Sequence, residues 1–391
     1  MNDELRDSLA ERLRTGESWN DFCDTLRAAG QIVLRESEST IDRTEGFRYL
    51  TRLLRSSLER FVENSESYRP RVLDTPFRVS IAIQSPDQDH PLIEIDGQYD
   101  YRISGTRNTV SYASFLALAG RLPPNAGAEA LGPRAEAALE AFDPTAFRAT
   151  GFLSVHDLAI DDDGRFEIIL SQREHPGNWL RLEPDSSFVM IRQTFLDRRT
   201  EKGMDLSVDR LPPEPARPIE PHELARALAV ASQNVVGTAV RFLHWATQLA
   251  EHPDTLRSIG ADYGSSGGSP DHLMYFGYWE IEGDDVLEIT ARLPDNDYWN
   301  FQACSWWLEN FDNYEDGKGY ITKRTAVVEP DGSVILRLAH GVPDGPERDR
   351  GNWIDLFGHT RGTMNLRIVH PDGEADIRVE KRKHYGLTTT G

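Results

Sequence analysis

The feature that most constrains this chain is a pattern that occurs twice. Asp163-Gly164 precedes an apolar run at residues 166–170, then Gly177-Asn178-Trp179-Leu180, then a run at 188–192 that ends in Arg192. Asp331-Gly332 precedes a run at 334–338, then Gly351-Asn352-Trp353-Ile354, then a run at 364–367 that ends in Arg367. Gly164 to Gly177 is 13 residues and Gly332 to Gly351 is 19, while Trp to Arg is 13 and 14, so the difference falls in one connection, where insertions are tolerated. Each copy also has an aromatic strand upstream, 99–102 in one and 298–301 in the other. Turn, strand, Gly-Asn-Trp, strand ending in arginine is the order of a small β module made twice. Glycine supplies a corner at positive φ, asparagine satisfies local backbone, and tryptophan covers the end of a barrel.

The remaining pattern fits around that duplication. Residues 1–64 read as helices: in 45–64, Phe47, Leu50, Leu54, Leu58 and Phe61 recur at steps of three and four, which draws one apolar stripe. From about residue 71 the period changes to two, as at 77–83. The run 92–95, Asp96-Gly97 and the run 99–103 read as a hairpin. Residues 121–148 form a Pro/Ala/Gly-rich excursion with one short helix at 134–142. Pro212, Pro213, Pro215 and Pro218 mark a linker, and a long helix follows with Pro221 in its first turn and Pro253 beyond its end.

The expected organisation is a helical cap at 1–70, a first β-barrel domain at 71–210, a linker and long inter-domain helix at 211–258, and a second β-barrel domain at 259–391. The fold class is mainly β with helical additions, as two tandem β-sandwich or jelly-roll-like barrels.

Charge narrows the partners. With 43 basic against 64 acidic residues, the net charge is −21, which repels phosphate backbones and anionic membranes and makes nucleic acid and membrane poor partners. The amino terminus is acidic and lacks an apolar signal core, no stretch is long enough to span a bilayer, and a cytoplasmic location is expected. Two cysteines, Cys23 and Cys304, cannot make a disulfide framework or a four-cysteine zinc site.

The duplicated residues also resemble a known family. Gly177-Asn178-Trp179-Leu180 with Ile191 to Phe195 and Asp197, Asn352-Trp353-Ile354-Asp355 with Gly358, His359 and Gly362, Asp100-Tyr101-Arg102 with Gly105-Thr106-Arg107, and the helical segment 45–54 are similar to the DUF-twelve-fourteen family of uncharacterised bacterial proteins. The resemblance spans most of the chain. It implies tandem β-barrel domains with helical additions and homo-oligomers, and it brings no established reaction.

Candidate chemistry concentrates after the second Gly-Asn-Trp. Asp355 and His359 form a candidate acid/base pair, the carboxylate orienting the imidazole. Arg361, Arg367 and, in the first copy, Arg192 are candidates for holding a substrate carboxylate or phosphate by a guanidinium fork. Trp353 and Trp179 would line the mouth of each barrel, with Tyr101 and Arg107 on the first hairpin as a further binding pair, although Tyr101 faces away from Arg102. The blander alternatives are loops stapled by hydrogen bonds and cross-strand packing. The aromatic region of Tyr298, Trp299, Phe301, Trp306, Trp307, Phe311 and Tyr314 reads as a binding wall or as core.

No metal site or cofactor is expected. His-Glu-x-x-His is absent, Asp161-Asp162-Asp163 and Asp295-Asn296-Asp297 are ordinary turn chemistry, and residues 260–268 lack the Gly-Lys ending of a phosphate loop. There is no nucleophile-elbow serine. Two readings follow: a cofactor-independent hydrolase or lyase acting on a small, partly apolar anionic metabolite in a barrel-mouth pocket, or a non-catalytic ligand-binding or assembly protein.

Overall fold

The computed structural model describes residues 2–64, 68–73, 83–120, 147–258, 268–311, 319–343 and 351–383. The chain divides into two compact units, the first of residues 1–79, 89–241 and 264–267, the second of 80–88, 242–263 and 268–391. The amino-terminal helices therefore share a unit with the first β module.

In the first unit, α1 (Asp3–Arg14), α2 (Glu17–Glu36) and α3 (Thr40–Leu58) are followed by a π-helical turn at Glu59–Glu63. Ser39 and Asp42 close α3 with a capping box, which satisfies amides that have no partner inside the helix. The buried line of α3 is Gly46, Tyr49, Leu53 and Ser57, one residue ahead of the stripe read from the sequence. Phe47 is exposed, whereas Leu54, Leu58 and Phe61 flank the line and pack on Phe22, Leu228 and Ala231. Leu228 and Ala231 belong to α4 (Pro221–Ala250), the long helix expected after the proline segment. Its start is fixed by Pro221 and by Glu223, whose carboxylate accepts from the Glu220 amide at 2.8 Å and from Arg217.

The β strands of the first unit are β1 (Gln88–Asp89), β2 (Leu92–Glu94), β3 (Asp100–Thr106), β4 (Tyr112–Ala119), β5 (Arg148–Ser154), β6 (Arg165–Ser171), β7 (Trp179–Arg181), β8 (Ser186–Thr194) and β9 (Asp205–Leu211). They make a five-stranded sheet, β1-β8-β4-β5 with β2 also on β8, and a four-stranded sheet, β7-β6-β3-β9. The second unit holds β10 (Thr255–Ser258), β11 (His272–Glu280), β12 (Asp285–Arg292), β13 (Tyr298–Cys304), β14 (Tyr320–Thr322), β15 (Val334–Ala339), β16 (Asn352–Asp355), β17 (Arg361–Val369) and β18 (Asp376–Lys383). Its sheets run β10-β11-β17-β13-β14 and β16-β15-β12-β18.

The four-stranded sheets have the same order, and β8-β4-β5 corresponds to β17-β13-β14, so the duplication holds. β10, at the edge of the second five-stranded sheet, has no counterpart, because β1 and β2 both pair with β8. Trp179 pairs with Ile169 and Trp353 with Arg337, each five residues past its turn glycine, Gly164 or Gly332. Both glycines sit at positive φ, 79° and 84°, where a side chain would be strained. The Gly-Asn-Trp segment opens a short edge strand that runs parallel to its neighbour.

Two expectations change. None of the described sheets closes into a barrel: in the second unit both sheets contribute to one core, from Trp279, Phe301 and Leu366 on one side and Leu287, Ile289 and Leu338 on the other. Alternation reports one buried face and is blind to whether the edges of a sheet meet. The segment 92–103 is not a hairpin, because β2 pairs with β8 and β3 with β6 and β9, so Asp96-Gly97 carries the chain from one sheet to the other. Gly97 is required there: a Cβ would meet the Glu183 carbonyl at 2.1 Å. The expected helix at 134–142, and the expected strand at 77–83 apart from Ile83, lie outside the described residues.

Candidate functional site

The residues singled out from the sequence fall in separate places. Asp355 ends β16, and its carboxylate accepts from the Phe357 amide at 2.8 Å. His359 is buried in the β16–β17 connection, with Nδ1 2.8 Å from the Leu356 carbonyl and its ring 4.5 Å from that of Phe311. Among the described residues, Asp355 and His359 each bond a nearby backbone group, and no described hydrogen bond or ion pair joins them to each other. Trp353 lies on the outer face of the four-stranded sheet with Val286 and Ala339, and Arg337 stacks over it at 5.5 Å. Trp179 donates Nε1–H to the Ser171 carbonyl at 3.0 Å.

Tyr101 is wholly buried in the first unit. Its hydroxyl accepts from the Asp96 amide at 2.9 Å, and burial pushes its pKa up to about 12. Arg107 donates to the Ser111 carbonyl at 3.3 Å. Arg192 is buried opposite Ser114 on β8.

Arg361 and Arg367 do share a surface, the outer face of the second five-stranded sheet. Along β17, Met364, Leu366 and Ile368 enter the core, so Arg361, Thr363, Asn365 and Arg367 point the other way. Along β13, Trp299, Phe301 and Ala303 are core, leaving Tyr298, Asn300, Gln302 and Cys304 on that same outer face. The register sets Arg367 directly opposite Asn300 and Asn365 directly opposite Gln302. Met274 and Phe276 of β11 flank Arg367 and Asn365 on the other edge.

This two-by-two block is polar yet buried. Asn300, Gln302 and Asn365 expose 0% of their surface and Arg367 6%. Residues 83–88 cross it: Arg367 donates to the Ile83 carbonyl at 2.9 Å, the Tyr298 hydroxyl to Asp87 at 3.2 Å, and Asn310 to the Gln84 carbonyl at 2.8 Å. The Ile83 amide donates to the Leu308 carbonyl at 2.7 Å, and both residues sit at positive φ, 60° and 56°. A β-branched residue there is strained.

Asn365 donates to the Tyr275 carbonyl at 3.1 Å, and Asn300 donates to Gln302 Oε1 at 3.3 Å. Among the described residues, Asn300 Oδ1, Gln302 Nε2 and Asn365 Oδ1 have no hydrogen-bond partner. An unmet buried polar group costs about 1–3 kcal/mol, so three on one patch of sheet call for a reason. Burial drives the neighbouring Tyr298 hydroxyl well above its ordinary pKa and the Cys304 thiol up to about 12, so both are neutral.

That strand order, with its parallel Gly-Asn-Trp edge and buried arginine, can be set beside known proteins. The family described as a protein of unknown function, DUF1214, matches residues 281–373, which span β12 to the end of β17. The chain belongs to the DUF1214 family. An uncharacterised protein from Burkholderia cenocepacia, known from a crystal structure, is 33% identical with a TM-score of 0.85, over 96% of this chain and 99% of that one. A Vibrio parahaemolyticus protein covers 92% of this chain and 99% of its own at 10% identity and a TM-score of 0.45. No curated protein is significantly similar to the chain.

In this DUF1214 protein the sequence did not bring forward Asn300, Gln302 and Asn365. Their signal was present: polar residues alternating with Trp299, Phe301 and Ala303. Such alternation describes a strand with one face in water, and only tertiary contacts reveal that the second face is covered as well. No helix of the described residues is long and apolar enough to cross a membrane.

Proposed function

We propose that this DUF1214 protein binds a small organic anion on the outer face of its second five-stranded sheet and carries out no chemistry on it. One observation supports the reading above others: beside Arg367, the fully buried Asn300 Oδ1 and Asn365 Oδ1 have no hydrogen-bond partner among the described residues, and Gln302 Nε2 has only the weak Cys304 thiol beside it. Arg367 supplies the positive charge, and its hydrogen bond to a neutral carbonyl, that of Ile83, is one an anionic oxygen would replace with a stronger, charge-assisted bond.

Hydrolase or lyase chemistry through Asp355 and His359 is the weaker reading. Each is engaged by a neighbouring backbone group rather than by the other. A cytoplasmic location and self-association belong to the same proposal; Trp19 and Phe47, exposed at 56% and 42% on the helices, support self-association.

The test is thermal denaturation against a panel of small carboxylates and phosphates. A ligand at a hundred times its Kd adds about 2.7 kcal/mol of stability, a shift of several degrees for a unit of this size. The wild type should respond, Arg367→Met should not, and His359→Ala should respond like the wild type. If His359→Ala alone abolishes the response, the Asp355/His359 reading replaces this one.

A further inference from the structure

We infer that the anion bound at this site is a polyhydroxylated carboxylate of the sugar-acid class; the inference rests on the anion-binding reading above and adds what the amides are for.

A carboxylate brings only acceptors. Arg367 suits it, and so does Gln302 Nε2, the spare amide donor of the block, whose neighbour on the same face is the weakly accepting Cys304 thiol. Asn300 Oδ1 and Asn365 Oδ1 are spare acceptors, and a carboxylate cannot satisfy them. They need donors on the ligand. Asn365 is fixed in orientation by its bond to the Tyr275 carbonyl. The Asn300–Gln302 pair leaves one donor and one acceptor over whichever way round its two amides lie. The demand on the ligand is therefore one anionic group and at least two donors.

The donors are hydroxyls rather than an ammonium, because the acceptors facing them are neutral amides. Carboxylates are the usual partners of a buried ammonium, and the carboxylate of Asp87 is already engaged by Tyr298.

Size follows from the sheet. Residues two apart on one strand are about 7 Å apart, and directly paired residues on adjacent strands about 5 Å. A chain of roughly four to six carbons bearing hydroxyls spans that block. Residues 83–88 lie over it in this structure, so the ligand carboxylate takes the place of the Ile83 carbonyl on Arg367. Ile83 is held at φ 60°, a conformation the segment can relax from when it is displaced.

The experiment compares matched pairs by calorimetry on the full chain, succinate against tartrate and hexanoate against gluconate. The hydroxylated member of at least one pair should bind tenfold or more tighter than its deoxy partner. A double variant, Asn300→Leu with Gln302→Met, removes both members of a mutually bonded pair and leaves no orphan between them. It should fold with a Tm equal to or above the wild type and lose the preference for hydroxyls. Equal binding within both pairs overturns this inference and leaves the anion reading standing. No binding of any probe, as when the spare capacity is met by solvent only, overturns both. A double variant whose Tm falls well below the wild type shows the amides to be structural and also overturns the inference.

Discussion

The two β modules share a plan and differ in what covers the outer face of their five-stranded sheets. In both, an asparagine after a glycine ties the parallel edge strand to the rest of its sheet. Asn178 donates to the Ala159 and Glu167 carbonyls and accepts from the Ala159 amide. Asn352 donates to the Val327 and Ile335 carbonyls and accepts from the Val327 amide. Both sheets place a buried arginine on the outer face, Arg192 and Arg367. Arg192 faces Ser114, and beyond that pair the face turns apolar, with Leu116, Leu118, Phe188 and Met190 packing on Phe147 and Phe152. Next to Arg367 it is Asn300, Gln302 and Asn365. The scaffold residues are the same in kind, and the divergence is concentrated where nothing in the scaffold requires polarity. That is the pattern expected of a surface given to function in one copy and to packing in the other.

The sharpest way to break the comparison is to exchange residues between copies. Counting back five residues from the two arginines gives Gly362 in the second copy and Ser187 in the first. A Cβ at Gly362 would meet the Cys304 carbonyl at 2.1 Å and the Trp279 ring at 2.6 Å, and backbone cannot yield as a side chain does. Gly362→Ser should cost about 3 kcal/mol or more in urea denaturation. The reverse exchange, Ser187→Gly, removes a hydroxyl bonded to the Leu118 and Gly120 carbonyls and should cost about 1 kcal/mol. Equal costs would show the two strands to be packed alike.

The asparagine clamps give a finer contrast. Asn352 is buried and Asn178 half-buried, so the groups stranded by Asn352→Ala have less access to water. That change should cost about 3 kcal/mol and Asn178→Ala about 1–2 kcal/mol. If the order reverses, burial does not set the strength of the clamp.

The smallest expected effect separates the units by pH. Arg217 holds the Glu223 carboxyl down at about 2, against an ordinary value of 4.5, chiefly through their hydrogen bond. A depressed carboxylate stabilises the fold fully above its unfolded pKa, and that stabilisation is lost as pH falls from about 4.5 towards about 2. Arg217→Ala should therefore lower the stability of the first unit at pH 7 by less than about 1 kcal/mol, since the pair is partly solvated. The difference from wild type should vanish near pH 2, with the second unit unchanged throughout.

Much of this molecule was legible in its residues. Gly164 and Gly332, Asn178 and Asn352, and Trp179 and Trp353 announced the duplication because each serves a local need: a positive φ, a backbone to be satisfied, an edge to be covered. Pro221, Glu223 and Pro253 bounded α4 for the same reason. Hydrophobic alternation told which strands had a buried face. Sheet membership was not legible at Asp96-Gly97, where a turn sequence that suits a hairpin instead crosses between sheets, because a turn is local and strand pairing is not. Nor was Phe47, which fits the helical period and yet faces solvent.

The candidate site divides along the same line. By itself the sequence determined that the run at 364–367 is a strand ending in Arg367, since a period of two is a property of the backbone; that the strand begins at Arg361, on the same face, came from the structure. That Asn300, Gln302 and Asn365 belong with Arg367 was decided by the register of β13 against β17 and by residues 83–88 lying across them, while Asp355 and His359 each bond a nearby backbone group. Burial of a second sheet face depends on chain far away in sequence, and no local pattern encodes it.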